Sequence, residues 1–199
     1  MTSSLISPLA SVSESAELAD GVSVWHFAQI REDAKIGAGS IIGNSAYIGA
    51  GVKIGANCKI QNGVLLYEPA FLEDGVFVGP GSILTNDHFP RAINSDLTQK
   101  KAKDWSPVGV HVELGASIGA NVVCVAPIRI GSWSMIGAGS IVTDDVQPFA
   151  LMLGIPARQV GWVGKAGVRL IEENGNFFRC PISNSRYKLT KKHVLELME

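Results

Sequence analysis

Residues 36–65 read IGAGSI IGNSAY IGAGVK IGANCK IQNGVL, five consecutive hexapeptides that each begin with isoleucine. A helix places apolar residues three and four positions apart, and an isolated strand places them two apart. A sustained period of six fits neither pattern and indicates short strands separated by turns. The branched apolar residue recurs without a miss at fourteen positions, namely Ile6, Val12, Leu18, Val24, Ile30, Ile36, Ile42, Ile48, Ile54, Ile60, Leu66, Leu72, Val78 and Leu84.

Two further positions of the hexapeptide keep their character. Four residues after the branched residue stands a small side chain, until His88 breaks the rule: Ala10, Ala16, Val22, Ala28, Ala34, Ser40, Ala46, Val52, Cys58, Val64, Ala70, Val76 and Ser82. Three residues after it stand Gly, Asn or Asp in most repeats, which suit the positive φ of a tight turn: Gly21, Asp33, Gly39, Gly51, Asn57, Gly63, Gly75, Gly81 and Asp87. Each hexapeptide is therefore predicted to form one side of a coil, and the coils stack about 4.8 Å apart in a parallel β-helix.

The period returns after an interruption, in a shifted phase, at Val112, Ile118, Cys124, Ile130, Ile136 and Val142. The interval from Leu84 to Val112 is 28 residues, which is not a multiple of six, so part of it must leave the coil. We predict an inserted loop over about residues 85–110. A long polar loop on a rigid scaffold is a usual place for function, and a tolerated insertion without a role is the alternative.

Three sides per coil is the simplest closure for this repeat, and it makes residues eighteen apart neighbours on adjacent coils. Glu68 then lies one coil below Asn86, and Glu32 lies three coils below Asn86. A second polar column serves either ligand binding or a structural asparagine ladder, and it consists of His26, Asn44 and Asn62.

The sixth position of the hexapeptide points outward and changes character along the chain. It is polar early, at Ser11, Glu17, Ser23, Gln29 and Lys35. It is apolar later, at Leu65, Phe71, Phe77, Ile83 and Phe89. An exposed apolar column on a rigid prism indicates a subunit interface, so we expect a homo-oligomer, and a three-sided prism favours a trimer.

Length and composition exclude several classes of protein. The 199 residues suit one domain with a short appendage, and the net charge of -1 provides no basic field for nucleic acid or an anionic membrane. No run of about 18 apolar residues is present to span a membrane. The first twenty residues lack the features of a secretory signal, so the cytoplasm is the expected location. The three cysteines form neither a disulfide framework nor a metal knuckle.

The run of [LIV]-G-x-x-[STAV]-x units resembles the hexapeptide-repeat acyltransferases. This resemblance implies an all-β, left-handed parallel β-helix in a homotrimer with active sites between subunits, whereas the usual crossover rule gives the opposite hand. We expect a β-helix acyltransferase domain at residues 1–163 and a C-terminal extension at residues 164–199. ENGN (Glu173 to Asn176) predicts a hairpin turn in the extension, and KKHVLELME (Lys191 to Glu199) predicts a short helix or strand.

Seven segments resemble the nucleotide-sugar N-acetyltransferases and follow that family's order: VWHFAQI (24–30), IQNGVLLYE (60–68), LEDGVFVGP (72–80), TNDHFPR (85–91), GASIGAN (115–121), IGAGSIVTDDV (136–146) and GIPARQVGWV (154–163). The strongest resemblance is to enzymes that acetylate the 3-amino group of UDP-2-acetamido-3-amino-2,3-dideoxy-glucuronate, followed by dTDP-3-amino-3,6-dideoxyhexose acetyltransferases. It implies acetyl-CoA as co-substrate and a nucleotide-linked amino sugar, acetylated at the C3 amine, for surface polysaccharide of the O-antigen type. A dTDP-amino-deoxyhexose or a 4-amino sugar is the alternative acceptor.

Acetyl transfer to a sugar amine needs a neutral amine near the thioester carbon, donors near the carbonyl oxygen and a destination for the amine proton. The resemblance places Asn86 at the reacting centre, where its amide orients the amine or the carbonyl. His88 is the general-base candidate by its ordinary pKa. The alternative for His88 is packing or substrate contact, with direct attack by the amine and the leaving thiolate taking the proton.

The remaining predicted site residues bind substrate or co-substrate. Arg91 suits a carboxylate or a pyrophosphate, with a surface salt bridge as the alternative. The predicted substrate-binding set is Glu68, Asp87, Arg91, Asn62 and Arg31. Small turn residues let the pantetheine arm lie against the backbone, and the resemblance adds a basic residue for the CoA phosphates: Ala120, Ala138, Gly139 and Arg158. No metal is expected.

Two other classes of function are open to a β-helix. A metal enzyme resembling γ-class carbonic anhydrase needs three histidines on one zinc ion. The closely spaced pair of that family is missing among the four histidines of the chain, which are His26, His88, His111 and His193. A non-catalytic binding protein is the other alternative, and it would have no need for the polar loop, the TDDV segment or the GIPAR segment.

Overall fold

The computed structural model describes residues 4–190 and 194–198. The hexapeptides fold into two-residue strands separated by turns, and each strand pairs in parallel with the strand eighteen residues away, as Leu5 does with Ser23 and Ile60 with Val78. This register confirms three sides per coil. The strands before the loop are β1 Leu5–Ile6, β2 Ser11–Val12, β3 Glu17–Leu18, β4 Ser23–Val24, β5 Gln29–Ile30, β6 Lys35–Ile36, β7 Ile41–Ile42, β8 Tyr47–Ile48, β9 Lys53–Ile54, β10 Lys59–Ile60, β11 Leu65–Leu66, β12 Phe71–Leu72, β13 Phe77–Val78 and β14 Ile83–Leu84.

The same architecture continues after the loop and ends in an antiparallel sheet. The later strands are β15 Val110–Val112, β16 Ser117–Ile118, β17 Val123–Cys124, β18 Ile128–Ile130, β19 Met135–Ile136, β20 Ile141–Val142, β21 Ala150–Gly154, β22 Ala157–Trp162, β23 Ile171–Asn174, β24 Phe177–Arg179, β25 Arg186–Leu189 and β26 Leu195–Leu197. One short 3-10 helix, Ala102–Asp104, lies in the loop.

Three sheets form the three faces of a prism, which we call faces A, B and C in the order the chain visits them. Face A is β1-β4-β7-β10-β13-β16-β19-β21-β22, face B is β2-β5-β8-β11-β14-β17-β20, and face C is β3-β6-β9-β12-β15-β18. The coil is a left-handed parallel β-helix, as the resemblance implied. Corner A–B, corner B–C and corner C–A are the turns that follow the strands of faces A, B and C, respectively.

The interior of the prism holds one branched and one small residue per side. Leu66, Leu72 and Val78 are completely buried, as are most members of both inward columns. Buried serines in the small column satisfy their hydroxyls within the coil, because Ser40 donates to the Gly55 carbonyl at 2.8 Å and accepts from the Cys58 amide at 2.9 Å. Burial of each branched side chain contributes about 1.5–3 kcal/mol.

Most predicted turn residues adopt the left-handed conformation, including Gly21, Asp33 and Asn57. The prediction for Asp87 is wrong, because the chain leaves the coil there and Asp87 does not have a positive φ. Four residues that are not Gly, Asn or Asp take the same slot in their own coils: Phe27, with φ of 60°, Ser45, with φ of 55°, Trp133, with φ of 58°, and Phe149, with φ of 62°.

The segment between β14 and β15 runs from Thr85 to Gly109, and the inserted loop leaves the coil within it, after Asn86. Across it, strand partners are 40 residues apart instead of 18, as for Phe77 and Ser117, so 22 residues leave the coil. Inside the loop, an antiparallel bridge joins Ile93 to Gln99. The structure therefore confirms an inserted loop within the predicted range and gives it a small hairpin of its own.

The single apolar outward column predicted from the sixth position is wrong. Successive hexapeptides lie on successive faces, so Leu65 and Ile83 are on face B, Phe71 is on face C, Phe77 is on face A, and Phe89 lies in the loop. The column that stays on face B is half-buried and apolar in its upper part: Tyr47, Leu65, Ile83, Val123 and Ile141. Face C instead carries mostly charged outward residues: Glu17, Lys35, Lys53, Phe71, His111 and Arg129.

The C-terminal region leaves the repeat as expected. Strands β23 and β24 form the hairpin predicted at ENGN, with Gly175 in the left-handed conformation, and they belong to a four-stranded antiparallel sheet. Its small core includes Phe178, Cys180 and Tyr187. The predicted element in KKHVLELME is a strand, Leu195–Leu197, while Lys191 to His193 and Glu199 lie outside the described residues.

In the part of the chain that the structure describes, no helix has the length and apolarity to cross a membrane.

Candidate active site

Asn86 stands at the base of the loop, on corner B–C directly after β14. Its backbone carbonyl accepts the amide of Val108 at 3.0 Å, which joins the outgoing and returning ends of the loop. The preceding residue, Thr85, donates its amide to the Cys124 carbonyl at 3.0 Å and so still belongs to the coil. The amide side chain of Asn86 is therefore presented from a rigid boundary, the last coil position before the loop departs.

Glu68 lies one coil below Asn86 on the same corner, as the spacing of eighteen predicts. Its Oε2 atom is buried and has no hydrogen-bond donor among the residues that the structure describes. The carboxylate packs over Gly49, where an added Cβ would lie 2.5 Å from Oε2, so the coil below has no room for a side chain. Burial of an unpartnered carboxylate oxygen costs free energy, which makes Glu68 an unusual residue of this corner.

Below Glu68, corner B–C continues as a polar and aromatic column. The Arg31 Nε atom donates to Glu32 Oε2 at 2.8 Å, and Arg31 Nη1 lies 3.5 Å from the Tyr47 hydroxyl. The rings of Tyr47 and Tyr67 are 5.3 Å apart. The pKa of the Glu32 carboxyl is lowered, first by its own backbone N–H and then by Arg31. The two tyrosines were missed from the sequence, although Tyr67 stands eighteen residues before Thr85, the spacing that identified Glu68.

The other loop residues have distinct environments. His88 is exposed, with Nδ1 3.5 Å from the Ala126 carbonyl, and donation from Nδ1 would leave the Nε2 lone pair free to accept a proton. Asp87 Oδ1 accepts the amide of Phe89 at 2.8 Å, so Asp87 shapes the loop turn. Arg91 is exposed, donates to the carbonyl of its neighbour Pro90 at 3.0 Å, and makes no ion pair among the described residues. The salt-bridge alternative for Arg91 is therefore not observed.

Corner A–B, on the opposite edge of face B, carries the remaining predicted residues except Arg158. In its lower part Asn62 Oδ1 accepts the backbone amide of Asn44 at 2.9 Å, so part of the Asn62 side chain serves as a structural ladder. In its upper part Ala120 is half-buried, and Ala138 and Gly139 are exposed in turns that carry no bulky side chain. These small residues leave a strip of accessible backbone.

Arg158 lies on β22 near the upper end of corner B–C. It donates to the Ala157 carbonyl at 2.9 Å and lies 3.7 Å from Asp144 Oδ2. Its side chain is exposed and free to turn toward an anion.

The strand register shows which turn positions of the two corners belong to the same coil and therefore lie at the same height along the prism. Asn86 shares its coil with Pro80 on corner A–B, and Asn62 lies one coil lower on that corner. Ala120 lies one coil above Pro80, and Ala138 lies two coils above it. The predicted residues thus fall into two groups at opposite edges of face B, and a single chain does not bring the groups together.

Outside this region, His111 takes part in structural contacts, and Cys58 and Cys124 are buried. His111 Nε2 is 2.9 Å from Glu73 Oε1, its Nδ1 accepts from Arg129 at 2.9 Å, and it belongs to face C. Within residues 4–190 and 194–198, no group of three His, Cys, Asp or Glu side chains is arranged to hold a metal ion, and His193 lies outside these residues. Burial raises the pKa of the Cys124 thiol to about 12 and also raises the pKa of Cys58.

Comparison with known proteins identifies the repeat. A family model described as bacterial transferase hexapeptide (six repeats) matches residues 15–50 and 33–68, and a model described as hexapeptide repeat of succinyl-transferase matches residues 109–144. Among solved structures, a Bacillus cereus protein described as an acetyltransferase has a TM-score of 0.53 at 24% identity and 78% coverage of both chains. The N-acyltransferase AntD from Bacillus cereus has a TM-score of 0.50 at 17% identity, covering 81% of this chain and 84% of that one. These structures share the fold.

The relatives that are similar in sequence include the following two proteins. The bifunctional protein GlmU of Thermotoga maritima is 39% identical over 149 residues, which are 73% of this chain and 29% of that protein. The dTDP-3-amino-3,6-dideoxy-alpha-D-galactopyranose 3-N-acetyltransferase of Aneurinibacillus thermoaerophilus is 42% identical over 88 residues, 44% of each chain. The matched region spans less than half the length of either relative.

Proposed function

The chain belongs to the hexapeptide-repeat transferases, and from that premise we propose that it is an acetyl-CoA-dependent N-acetyltransferase acting on a nucleotide-linked amino sugar. The observation that carries the proposal is the pairing of Glu68 and Asn86. A buried carboxylate oxygen without a donor among the described residues lies one coil beneath a side-chain amide, at the base of the inserted loop. An amino sugar carries hydroxyl and amine donors for a carboxylate and hydroxyl acceptors for an amide, which makes this corner suited to the acceptor.

The similarity to the 3-N-acetyltransferase of Aneurinibacillus thermoaerophilus supports the C3 amine as the acetylated group. The proposed destination of the sugar, surface polysaccharide of the O-antigen type, comes from the family resemblance. A UDP-linked or dTDP-linked 3-amino sugar is the proposed acceptor, and a dTDP-amino-deoxyhexose or a 4-amino sugar is the alternative. The cytoplasm, where acetyl-CoA and nucleotide sugars meet, is the proposed location.

We further propose that the active form is a homotrimer that packs through face B. Its outward column from Tyr47 to Ile141 is apolar, while face C is charged. In a cyclic trimer with parallel coils, heights along the prism are preserved between copies. Corner B–C of one copy, with Glu68 and Asn86, then lies across a cleft from corner A–B of the next copy at matching height. The two groups of site residues are completed only in this assembly.

The proposed reaction is direct attack by the sugar amine on the thioester carbon of acetyl-CoA. A C–N bond forms, the C–S bond breaks and CoA leaves as its thiolate. Asn86 orients the amine or donates to the carbonyl oxygen as negative charge develops there. The amine proton passes to the leaving thiolate or to His88 Nε2, whose lone pair is free when Nδ1–H points at the Ala126 carbonyl. Ala120, Ala138, Gly139 and Arg158 are the proposed acetyl-CoA residues.

The test is the release of free CoA thiol from acetyl-CoA with a panel of UDP- and dTDP-linked 3-amino and 4-amino sugars, followed by mass spectrometry of the sugar product. We expect one 3-amino sugar to support turnover and to gain a single acetyl group. If no member of the panel releases thiol, the enzyme proposal fails and the non-catalytic binding protein becomes the better description.

A further inference from the structure

A cavity of about 350 Å³ opens on the lower part of corner A–B, outside the Glu68 and Asn86 region. Its lining includes Trp25, Asn44, Gln61 and Asn62, together with the half-buried apolar residue Ile41. None of the contacts described for Asn86 or the loop reaches it. We call it the Trp25 cavity.

The spacing of the repeat creates the Trp25 cavity. Trp25, Gly43 and Gln61 are eighteen apart and occupy the same turn position in three stacked coils. Gly43 lies between the two larger side chains, and a Cβ there would lie 2.6 Å from the Asn62 backbone nitrogen, so the position has to stay empty. The indole ring of Trp25, 46% exposed, therefore stands beside a permanent gap.

Polar groups on the walls remain available to a ligand. Asn62 uses only Oδ1, in accepting the Asn44 amide, and Asn44 Oδ1 accepts the Ser45 hydroxyl at 2.8 Å. Gln61 makes no side-chain hydrogen bond among the residues that the structure describes. Within that part of the chain, the side-chain NH₂ groups of both asparagines and the whole Gln61 amide are thus free, and together they offer donors and an acceptor to the edge of a planar heterocycle.

A second observation on the same corner points to a ligand. Phe27, two residues after Trp25, is 63% exposed and has φ of 60°, a conformation that costs a bulky residue about 1–2 kcal/mol. Trp133 and Phe149 also occupy this slot with positive φ, but both pack against the C-terminal core, whereas the Phe27 ring is exposed. An exposed aromatic ring kept in a strained conformation indicates a role outside folding, and aromatic residues at a polar cavity provide stacking surfaces.

We propose that the Trp25 cavity binds the nucleobase of a nucleoside diphosphate, with Trp25 stacking on the base and the amides of Gln61 and Asn62 contacting its edge. The inference rests on the proposed function for the identity of the ligand. The cavity spans one to three coils below the level of Asn86, about 5–15 Å along the prism at about 4.8 Å per coil. Base and amino sugar are separated by a ribose and a diphosphate, so they occupy different levels of the same cleft, with acetyl-CoA entering from above.

The experiment measures binding of UDP and dTDP to the full chain by isothermal titration calorimetry, independently of turnover. Loss of one base–aromatic stack is worth about 1–3 kcal/mol, so Trp25→Ala should raise Kd by a factor of about 5–150. Trp25→Phe should recover most of the affinity. Phe71→Ala, which removes an exposed aromatic ring from face C, is the matched control and should leave Kd unchanged.

Gln61→Ala provides a second variant if Trp25→Ala does not fold, because only surface contacts are removed and the fold is kept. It should weaken binding several-fold, since the Gln61 amide no longer contacts the edge of the base. Wild-type Kd in both Trp25→Ala and Gln61→Ala overturns the inference, as does failure of the wild type to bind either nucleotide. Trp25-dependent binding without thiol release from any amino sugar would reject the proposed acetyltransfer while keeping the nucleotide site. Thiol release with a KM for the nucleotide sugar that is unchanged in Trp25→Ala would reject the nucleobase site while keeping the proposed acetyltransfer.

Discussion

Two corners of the same prism, on either edge of face B, are formed by the same repeat but carry different side chains. Corner B–C stacks Glu68 under Asn86 and adds tyrosines and Arg31 below. Corner A–B carries Trp25 and amides in its lower coils and bare turns such as Gly139 in its upper coils. The backbone geometry is shared, so the difference lies only in which turn positions carry functional side chains. A repeat scaffold therefore separates folding, which uses inward positions, from chemistry, which uses the corners.

In the proposed trimer, each corner is half of a site. The proposed reacting group, Asn86, and the proposed co-substrate positions Ala120 and Ala138 lie within two coils of one another in height but across the width of a face. The apolar column of face B provides the means to unite corners from different copies. If this is correct, damage to face B, which contains no proposed reacting group, has the largest effect on activity.

We expect Leu65→Glu to give a monomer and to reduce thiol release to background. A trimer would bury the new carboxylate at an apolar interface without a partner, which costs several kcal/mol for each copy. Light scattering at micromolar concentration and the thiol-release assay test this. Lys53→Glu on face C is the matched control and should leave both mass and rate unchanged. A monomer mass for the wild-type protein would itself disprove the trimer.

Within corner B–C, Asn86→Ala should have the next largest effect. Removal of one positioned donor to a developing oxyanion typically costs about 10²–10³ in kcat. We expect a fall of this size in kcat, with little change in the KM for acetyl-CoA, because three of the four proposed CoA positions, Ala120, Ala138 and Gly139, lie on the other corner. Near-normal kcat/KM in this variant would show that Asn86 does not act at the reacting centre.

Glu68 and His88 can be distinguished by matched amide substitutions. Glu68→Gln keeps the shape but removes the charge of the buried carboxylate, and we expect KM for the amino sugar to rise about tenfold, since a hydrogen bond to a charged group contributes about 1.5–3 kcal/mol. For His88→Asn, a fall in kcat of about 10²-fold or more would assign the proton to His88. A retained rate would assign it to the leaving thiolate. A Glu68→Gln variant with unchanged KM would remove Glu68 from the acceptor site.

The fold could be predicted from the sequence because few folds are compatible with a sustained period of six. Inward columns, the register of eighteen and the loop boundaries all follow from the repetition of branched and small residues, since each coil forms the template for the next. The handedness did not follow from spacing, because the steric rule for crossovers predicts the opposite hand, and it came from the family resemblance. The outward column was misassigned because neighbouring hexapeptides belong to different faces.

The candidate site was predictable in part. Spacing placed Glu68 beneath Asn86, but it could not reveal that Glu68 Oε2 is buried without a donor among the described residues, which depends on the local path of the chain over Gly49. Asp87 looked like a turn residue or a ligand contact, yet in the structure it accepts the Phe89 amide because the chain leaves the coil at this residue. The Trp25 cavity was missed because Gly43 looked like one more repeat glycine, whereas its lack of a side chain makes the space.

The smallest expected effect concerns Phe27, in the lower part of corner A–B. Its substitution should change both the free energy of unfolding and the affinity for nucleotide. Asn is tolerated in the left-handed conformation and already occupies the same slot at Asn57, so Phe27→Asn should raise the free energy of unfolding by about 1 kcal/mol. Little packing is lost, because the Phe27 ring is mostly exposed. Urea denaturation compared with an Asp33→Asn control, which should be nearly neutral, measures the gain. If Phe27 supports nucleotide binding, the same variant binds UDP or dTDP several-fold more weakly. A more stable variant with unchanged affinity would mean that the strain at Phe27 has no part in the nucleobase site. A less stable variant would mean that the Phe27 ring packs more strongly than its exposure indicates.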